Sequence, residues 1–241
     1  MIRVAILGAS GRMGALATQL VNDDANLKLH AALRSTSSPE EMLGADVVLD
    51  FTLPSVSESL VRYAIENDLK VVIGTSGWSE NKLAGLEKLL LQHPNAAVVL
   101  IPNFSIGSML GQLFAAQAAK FFSSIEIVES HHAVKADSPS GTAIRTAELI
   151  SESRSGMPQP LVPGVEQEAR GEVVAGVPVH SLRLEGIGAK QEVHLAGNSE
   201  VLKISHEVSS NQAYSHGILR SIEFAVSATG LTIGLDKVVL A

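Results

Sequence analysis

Over the first hundred residues the spacing of hydrophobic positions switches repeatedly between two periods. "RVAILG" (3–8) is a short apolar run of the kind that forms a strand buried on both faces. From Arg12 the spacing lengthens: Met13, Leu16, Ala17, Leu20 and Val21 recur at helical intervals and share one face. "LKLHAALR" (27–34) returns to a period of two, with Leu27, Leu29, Ala31 and Leu33 on one side. "DVVLDFT" (46–52), "KVVIGTSG" (70–77) and "AAVVLIPNF" (96–104) read as further strands, separated by helical stretches near 55–67 and 79–92. Strands alternating with helices predict an α/β architecture, a doubly wound parallel Rossmann sheet with right-handed crossovers.

The pattern then changes. Residues 106–122 predict a helix and "SIEIVESHH" (124–132) a strand, followed by a polar loop and a helix over about 142–154. Residues 155–176 are rich in Gly, Pro and charge and read as a loop. "VPVHSLRLEG", "KQEVHLAG" and "EVLKISHEVS" follow at close spacing, divided by "GIGA" and "GNSE", and predict an antiparallel meander. An amphipathic helix covers about 211–227. The expected organisation is a dinucleotide-binding domain over 1–104, to which 213–241 returns. A second α+β domain, with a mostly antiparallel sheet, spans 105–212. Two lobes of this kind commonly hold ligands between them.

Composition narrows the class. With 46% hydrophobic residues in 241, the chain has ample core and is not disordered. A formal charge of −7 argues against nucleic-acid binding, which depends on neutralising phosphates. The absence of cysteine excludes disulfides and thiolate zinc sites. No run has the length of a membrane span, and the apolar N-terminal segment is too short for a signal peptide. The expectation is a cytoplasmic protein with no nucleic-acid or membrane partner.

Candidate chemistry begins at "GASGRMG", where Gly8, Gly11 and Gly14 follow a strand and open a helix. Gly8 allows a tight turn, Gly11 lets the backbone approach a pyrophosphate at the helix start, and Gly14 allows close helix–strand packing. The second strand ends in Arg34, with Ser35 and Thr36 behind it and Arg12 in the glycine loop. Guanidinium and hydroxyl groups suit a 2′-phosphate, whereas an acidic residue would repel one, so NADPH is the expected preference over NADH. Later strands end in "DFT", "GTSG" and "IPNF", at the crevice where such sheets bind ligands. Phe51 offers a flat ring, Thr52, Thr75 and Ser76 offer hydroxyls, and residues 101–104 form a plausible hinge and nicotinamide contact.

The densest polar stretch is "ESHHAVKADSPSGTA" (129–143). Ser140, Gly141 and Thr142 lead into a helical run, and free N–H groups at a helix start favour an anion. Lys135 adds a positive charge, and His131 and His132 are of the residue type that titrates near neutral pH. A regular strand through both histidines would point their rings to opposite faces, so a division of labour is expected, one protonating and the other binding or orienting. Adjacent histidines seldom chelate one ion and no partner has suitable spacing, so no metal is expected. Asp137 also suits a cap for the following turn.

"GASGRMG", "DFT", "GTSG", "PNFSIG" and "ESHHAVKADSPSGTA" occur in an order that resembles the 4-hydroxy-tetrahydrodipicolinate reductase (dihydrodipicolinate reductase) family over nearly the whole chain. The resemblance implies NAD(P)H-dependent reduction of a cyclic unsaturated dicarboxylate to tetrahydrodipicolinate, on the diaminopimelate route to lysine, by a homotetramer that accepts NADPH or NADH, with the domain over 105–212 serving substrate binding and oligomerisation. It implies His131 and Lys135 as proton-transfer residues, with His132, Ser140, Gly141 and Thr142 binding substrate. Gly8, Ala9, Ser10, Gly11, Arg12, Met13, Arg34, Gly74, Thr75, Ser76, Ile101, Pro102, Asn103 and Phe104 match cofactor positions, which Phe51 and Thr52 adjoin. Ser138 replaces the family's usual alanine, and Ser130 a larger apolar residue. The alternatives are another NAD(P)-dependent reductase on the same plan, against which the histidine-lysine motif argues, or a non-catalytic redox sensor, which has no need of that motif.

Overall fold

The computed structural model describes residues 1–157 and 167–241, so the middle of the predicted 155–176 loop lies outside the described residues. The strands are β1 (Ile2–Leu7), β2 (Leu27–Leu33), β3 (Val47–Asp50), β4 (Lys70–Ile73), β5 (Ala97–Leu100), β6 (Ser124–His132), β7 (Glu172–Val174), β8 (Val177–Leu184), β9 (Ala189–Gly197), β10 (Glu200–Val208) and β11 (Gly230–Ile233). The helices are α1 (Arg12–Asp23), α2 (Pro54–Glu66), α3 (Glu80–Leu90), α4 (Ile106–Ala118), α5 (Gly141–Ser153), α6 (Ser215–Ser227) and α7 (Asp236–Val239). Two compact units emerge: Met1–Ile106 with Asn211–Ala241, and Gly107–Ser210. Among the described residues no helix is long and apolar enough to cross a membrane.

The first unit is built on a six-stranded sheet of order β11-β5-β4-β3-β1-β2, parallel throughout. Its central strands are apolar runs because helices cover both faces. Ala5, Leu7, Val48, Val71, Ile73, Val98 and Leu100 pack with Val61, Ala64 and Ile65 of α2 and Leu86 and Leu90 of α3. The alternate residues, Val4, Ile6, Val47, Leu49, Val72 and Val99, are equally buried and turn to the other face. There α1 packs on β1 and β2, and α6 on β3, β4 and β5. β2 lies at an edge, and its burial alternates as its sequence does. The opposite edge is β11, a strand absent from the sequence reading: four residues beginning at a glycine carry too little periodicity to stand out.

α6 belongs to the first unit through close backbone contact. A Cβ on Gly217 would stand 2.0 Å from the Phe104 carbonyl oxygen, so only glycine lets the helix lie this near. Lys70 Nζ donates to the Ala228 carbonyl just beyond the helix, at 2.8 Å.

The second unit carries a five-stranded sheet of order β10-β9-β6-β8-β7. β6–β9, β9–β10 and β7–β8 are antiparallel, while β6–β8 is parallel. The expected meander is therefore corrected: β8 and β9 do not pair, because β6 lies between them. Period-two alternation marks which face of a strand is buried but not which strand is its neighbour. β7, too, falls within the stretch read as loop. One sheet face, with Ile125, Ile127, Val177, Val179, Val193 and Leu195, packs on Ala143, Ala147 and Ile150 of α5 and on Ala115 of α4.

Gly217→Ala gains about 1 kcal/mol of helix propensity but drives a methyl into backbone, and overpacking of this kind costs about 1–3 kcal/mol. The urea midpoint is expected to fall; an unchanged or higher midpoint would show that α6 shifts away at no cost.

Candidate active site

The carboxyl ends of β1, β3, β4 and β5 are in register: Leu7 pairs with Asp50, Asp50 with Ile73, and Ile73 with Leu100. The segments that follow, beginning at Gly8, Phe51, Gly74 and Ile101, therefore meet along one edge of the sheet. Gly8 has φ +77°, and a Cβ there would lie 2.5 Å from the Phe51 carbonyl oxygen. A Cβ on Gly14 would lie 2.1 Å from the Gly8 carbonyl oxygen. The N–H groups of Gly8 and Ala9 donate to the Leu33 carbonyl at 3.1 and 3.0 Å, which fastens the loop to the end of β2. Gly11 caps α1 without a side-chain hydrogen bond, and the first turn holds no acidic residue. This backbone cradle, with its exposed Ser10, Gly11 and Arg12, fits a dinucleotide pyrophosphate. Arg34, Ser35 and Thr36 are exposed just after β2. Among the described ion pairs, none involves Arg12 or Arg34.

Asp50, fully buried at the end of β3, is a residue that the sequence reading missed. It accepts from the Thr52 N–H at 3.0 Å, the Thr52 hydroxyl at 2.5 Å and the Ser57 hydroxyl. A lone carboxylate closing an apolar strand was the available signal. The Thr52 hydroxyl is thus committed internally, as is that of buried Thr75, which donates to the Asp50 and Thr52 carbonyls at 3.3 and 3.4 Å. Ser76 remains exposed. Phe51 and Phe104 meet edge to face, with centroids 5.5 Å apart. Any Cβ on Gly74 would collide with both rings, at 2.4 and 2.8 Å. Ile101 is buried and Pro102 exposed, and Asn103 Oδ1 accepts from the Ser105 N–H at 2.9 Å.

In the second unit the strand alternation separates the histidine pair. β6 runs regularly through His132, so Ile125, Ile127, Glu129 and His131 share the face covered by α5, while the exposed His132 turns to the other. His131 and His132 are not brought together. What His131 meets instead is Glu129, with Nδ1 2.5 Å from Oε2. Glu129 has no exposed surface. It also accepts from Arg183 of β8 at 2.9 and 3.1 Å and from the Ser140 N–H at 3.3 Å. Burial pushes the Glu129 carboxyl up, but hydrogen bonds from Arg183, Ser181 and His131 outweigh it and hold the group below the usual carboxylate range. Arg183 also donates to the Asp137 carbonyl at 2.6 Å, which pins the loop between β6 and α5.

On that loop Lys135 Nζ lies 2.5 and 2.6 Å from the two carboxylate oxygens of exposed Asp137. The ammonium holds the Asp137 carboxyl below its ordinary range, against a smaller effect of burial. Asp137 thus engages Lys135, whereas the cap of α5 is Ser140, whose hydroxyl accepts from the Ala143 N–H at 3.2 Å. Gly141 is exposed, with open space where a Cβ would stand. Glu129 and Arg183 are the residues that the sequence reading missed here. Glu129 stood in the motif without a role, and Arg183 lies 54 positions away in an ordinary strand pattern.

Family models match both halves of the chain: "Dihydrodipicolinate reductase, N-terminus" over residues 2–104, and "Dihydrodipicolinate reductase, C-terminus" over 107–239. A 4-hydroxy-tetrahydrodipicolinate reductase of Clavibacter michiganensis is 47% identical over 236 residues, covering 98% of this chain and 85% of that protein. One of Cutibacterium acnes is 40% identical, with 98% of each chain covered. Among solved structures, a dipicolinate-bound dihydrodipicolinate reductase from Paenisporosarcina superposes with a TM-score of 0.85 at 31% identity, over 98% of this chain and 99% of that one. An NAD complex of GenD2 from gentamicin A biosynthesis, at 12% identity and TM-score 0.63, shares the fold alone. With both halves matched in order and relatives aligned over nearly its full length, the chain belongs to the dihydrodipicolinate reductase family, whose members are NAD(P)H-dependent oxidoreductases.

Proposed function

We propose that this protein reduces 4-hydroxy-tetrahydrodipicolinate to tetrahydrodipicolinate with a reduced nicotinamide cofactor, on the diaminopimelate route to lysine. The observation that carries the chemistry is the convergence, within one short stretch, of an imidazole braced by a buried carboxylate, an ammonium and a helix start. The relative crystallised with dipicolinate supports a small dicarboxylate as substrate.

In this reading the first unit, 1–104 with 213–241, holds the dinucleotide. Residues 8–13 cradle its pyrophosphate, Arg34 and Arg12 receive a 2′-phosphate, and Phe51, Thr52, 74–76 and 101–104 line the rest. Bound there, the cofactor supplies a hydride. The second unit, 105–212, holds the dicarboxylate. The start of α5, with Ser140, Gly141 and Thr142, receives one carboxylate. Lys135, with His132 at the exposed end of β6, neutralises charge on the substrate. Loss of the substrate's hydroxyl as water leaves a ring C=C, and hydride addition to one of its carbons places an electron pair on the neighbour. His131 and Lys135 are the proton-bearing groups available to quench it. Positioning supplies much of the remaining acceleration.

The same reading includes a cytoplasmic location and a homotetramer. Opposite the α5 face, the second sheet exposes Leu182, Leu184 and Val201 at 45%, 47% and 66%. Beside them, Glu192 binds Lys190 and Lys203, at 2.8 Å each, and its carboxyl is lowered to about 2 by those two ammonium groups. A face of apolar side chains among ion pairs suits a second copy.

In a coupled assay with the upstream synthase, NADPH oxidation should depend on that synthase; none, with cofactor binding intact, would overturn the assignment. His131→Ala and Lys135→Ala should each lower kcat by about 100-fold or more with NADPH affinity nearly unchanged. Wild type should prefer NADPH over NADH and Arg34→Asp should reverse the order, whereas a wild-type preference for NADH refutes the phosphate role of Arg34. Light scattering should give four times the 25.3 kDa chain mass, falling on Leu184→Asp; a monomeric wild type would refute the tetramer.

A further inference from the structure

Glu129 is a charged group in a place that packing alone would give to an apolar side chain. It stands between Ile127 and His131 on the covered face of β6 and has no exposed surface. Three of its contacts come from different elements: His131 from its own strand, Arg183 from β8 and the Ser140 N–H from the cap of α5. A carboxylate in this position is costly to desolvate unless it is well paired, so its presence calls for a role. The contact with His131 supplies one. A neutral imidazole carries its proton on one nitrogen only, and the partner of one nitrogen decides the state of the other.

We propose that Glu129 is a positioning residue for the reduction, holding His131 with Nδ1 protonated so that Nε2 is the atom that delivers the proton to substrate, while Arg183 holds Glu129 in place. The inference rests on the reading of His131 as a proton donor. Once the substrate's hydroxyl has left as water, hydride adds to one carbon of the resulting ring C=C, and the electron pair of that bond on the neighbouring carbon takes the proton from His131 Nε2. The N–H electron pair stays on the imidazole, which leaves the step neutral, with its Nδ1–H still donated to Glu129. Solvent returns the proton to Nε2. Arg183 contributes twice, since its guanidinium binds both Glu129 oxygens and its Nη2 also reaches the Asp137 carbonyl on the loop that carries Lys135.

The charged groups that face His131 are few among the described residues. Glu129 lies on its own strand, Arg183 is its register partner on β8, and Lys135 and Asp137 stand on the following loop. β9 presents Ala189 and Gln191, and the packed face of α5 presents Ala143, Thr146 and Ala147, none of which titrates. Glu129→Gln keeps the volume, removes the negative charge and leaves Arg183 facing the ring, which disfavours imidazolium.

Glu129→Gln in the full-length enzyme should lower kcat by about 10–100-fold, with KM for NADPH within about twofold. The alkaline limb of the kcat profile should move to lower pH. Arg183→Lys, which keeps the charge, should recover part of the rate lost in Arg183→Met. Nitrogen-15 spectra of the wild-type imidazoles need no variant and should show His131 protonated at Nδ1 when neutral. A His131 resting with Nδ1 bare overturns the proposal, as does a Glu129→Gln enzyme with wild-type kcat and pH profile. Full activity in His131→Ala would instead sink the proton-donor reading itself; loss there beside a normal Glu129→Gln enzyme sinks only the role given to Glu129.

Discussion

A carboxylate without exposed surface must find its whole solvation inside the protein, and at Glu129 that demand organises the second unit around β6. Its two oxygens take hydrogen bonds from Arg183, His131 and the backbone N–H of Ser140. Removing one partner of such a buried pair typically costs about 3–5 kcal/mol, because the other charge stays behind uncompensated. The pairing is therefore rigid. It fixes the imidazole, the first residue of the helix start and, through Arg183 and the Asp137 carbonyl, the loop between them. Parallel pairing of β6 with β8 is what makes this possible, since it sets His131 opposite Arg183.

The first unit uses the same device at a different strand. Asp50 closes β3 without exposed surface and satisfies itself on the Thr52 and Ser57 groups of the segment that follows. The turn after β3 is thereby held against the glycine loop, close enough that a Cβ on Gly8 would strike the Phe51 carbonyl. In both units an inward carboxylate shapes the backbone next to the candidate ligand positions and itself stays buried. Thr52 and Thr75 illustrate the cost: their hydroxyls serve the turn rather than a ligand, and it is backbone, rings and Ser76 that remain at the edge.

The glycine loop, the parallel strands and the start of α5 were legible because their signals are local. Gly8, Gly11 and Gly14 fix a strand–turn–helix within seven residues, and Ser140 precedes its helix directly. The opposed faces of His131 and His132 were also legible, as a consequence of period two. What escaped depends on distant partners. Arg183 looks like one polar residue in an alternating strand until β8 is known to lie beside β6 rather than β9. Glu129 reads as a polar letter in a crowded motif until the face it shares with Ile127 is known to be covered. β7 and β11, of three and four residues, are strands only because an edge was free to receive them.

The two carboxylate–cation pairs of the second unit differ in a way that suits different tasks. Glu129 and Arg183 are buried and multiply bonded. Lys135 and Asp137 lie on a loop, with the Asp137 side chain 63% exposed, and exposed pairs of this kind contribute about 0–1 kcal/mol. If Lys135 receives a substrate carboxylate, as proposed, exchanging the Asp137 carboxylate for it would replace one ion pair at Lys135 by another of the same kind, close to neutral in free energy. Exchange at Arg183 would strand Glu129 in the interior. The lysine is thus free to change partners, while the imidazole stays fixed by a carboxylate that solvent does not reach. The proposed roles, accepting an anion and aiming a proton, call for one contact that yields and one that does not.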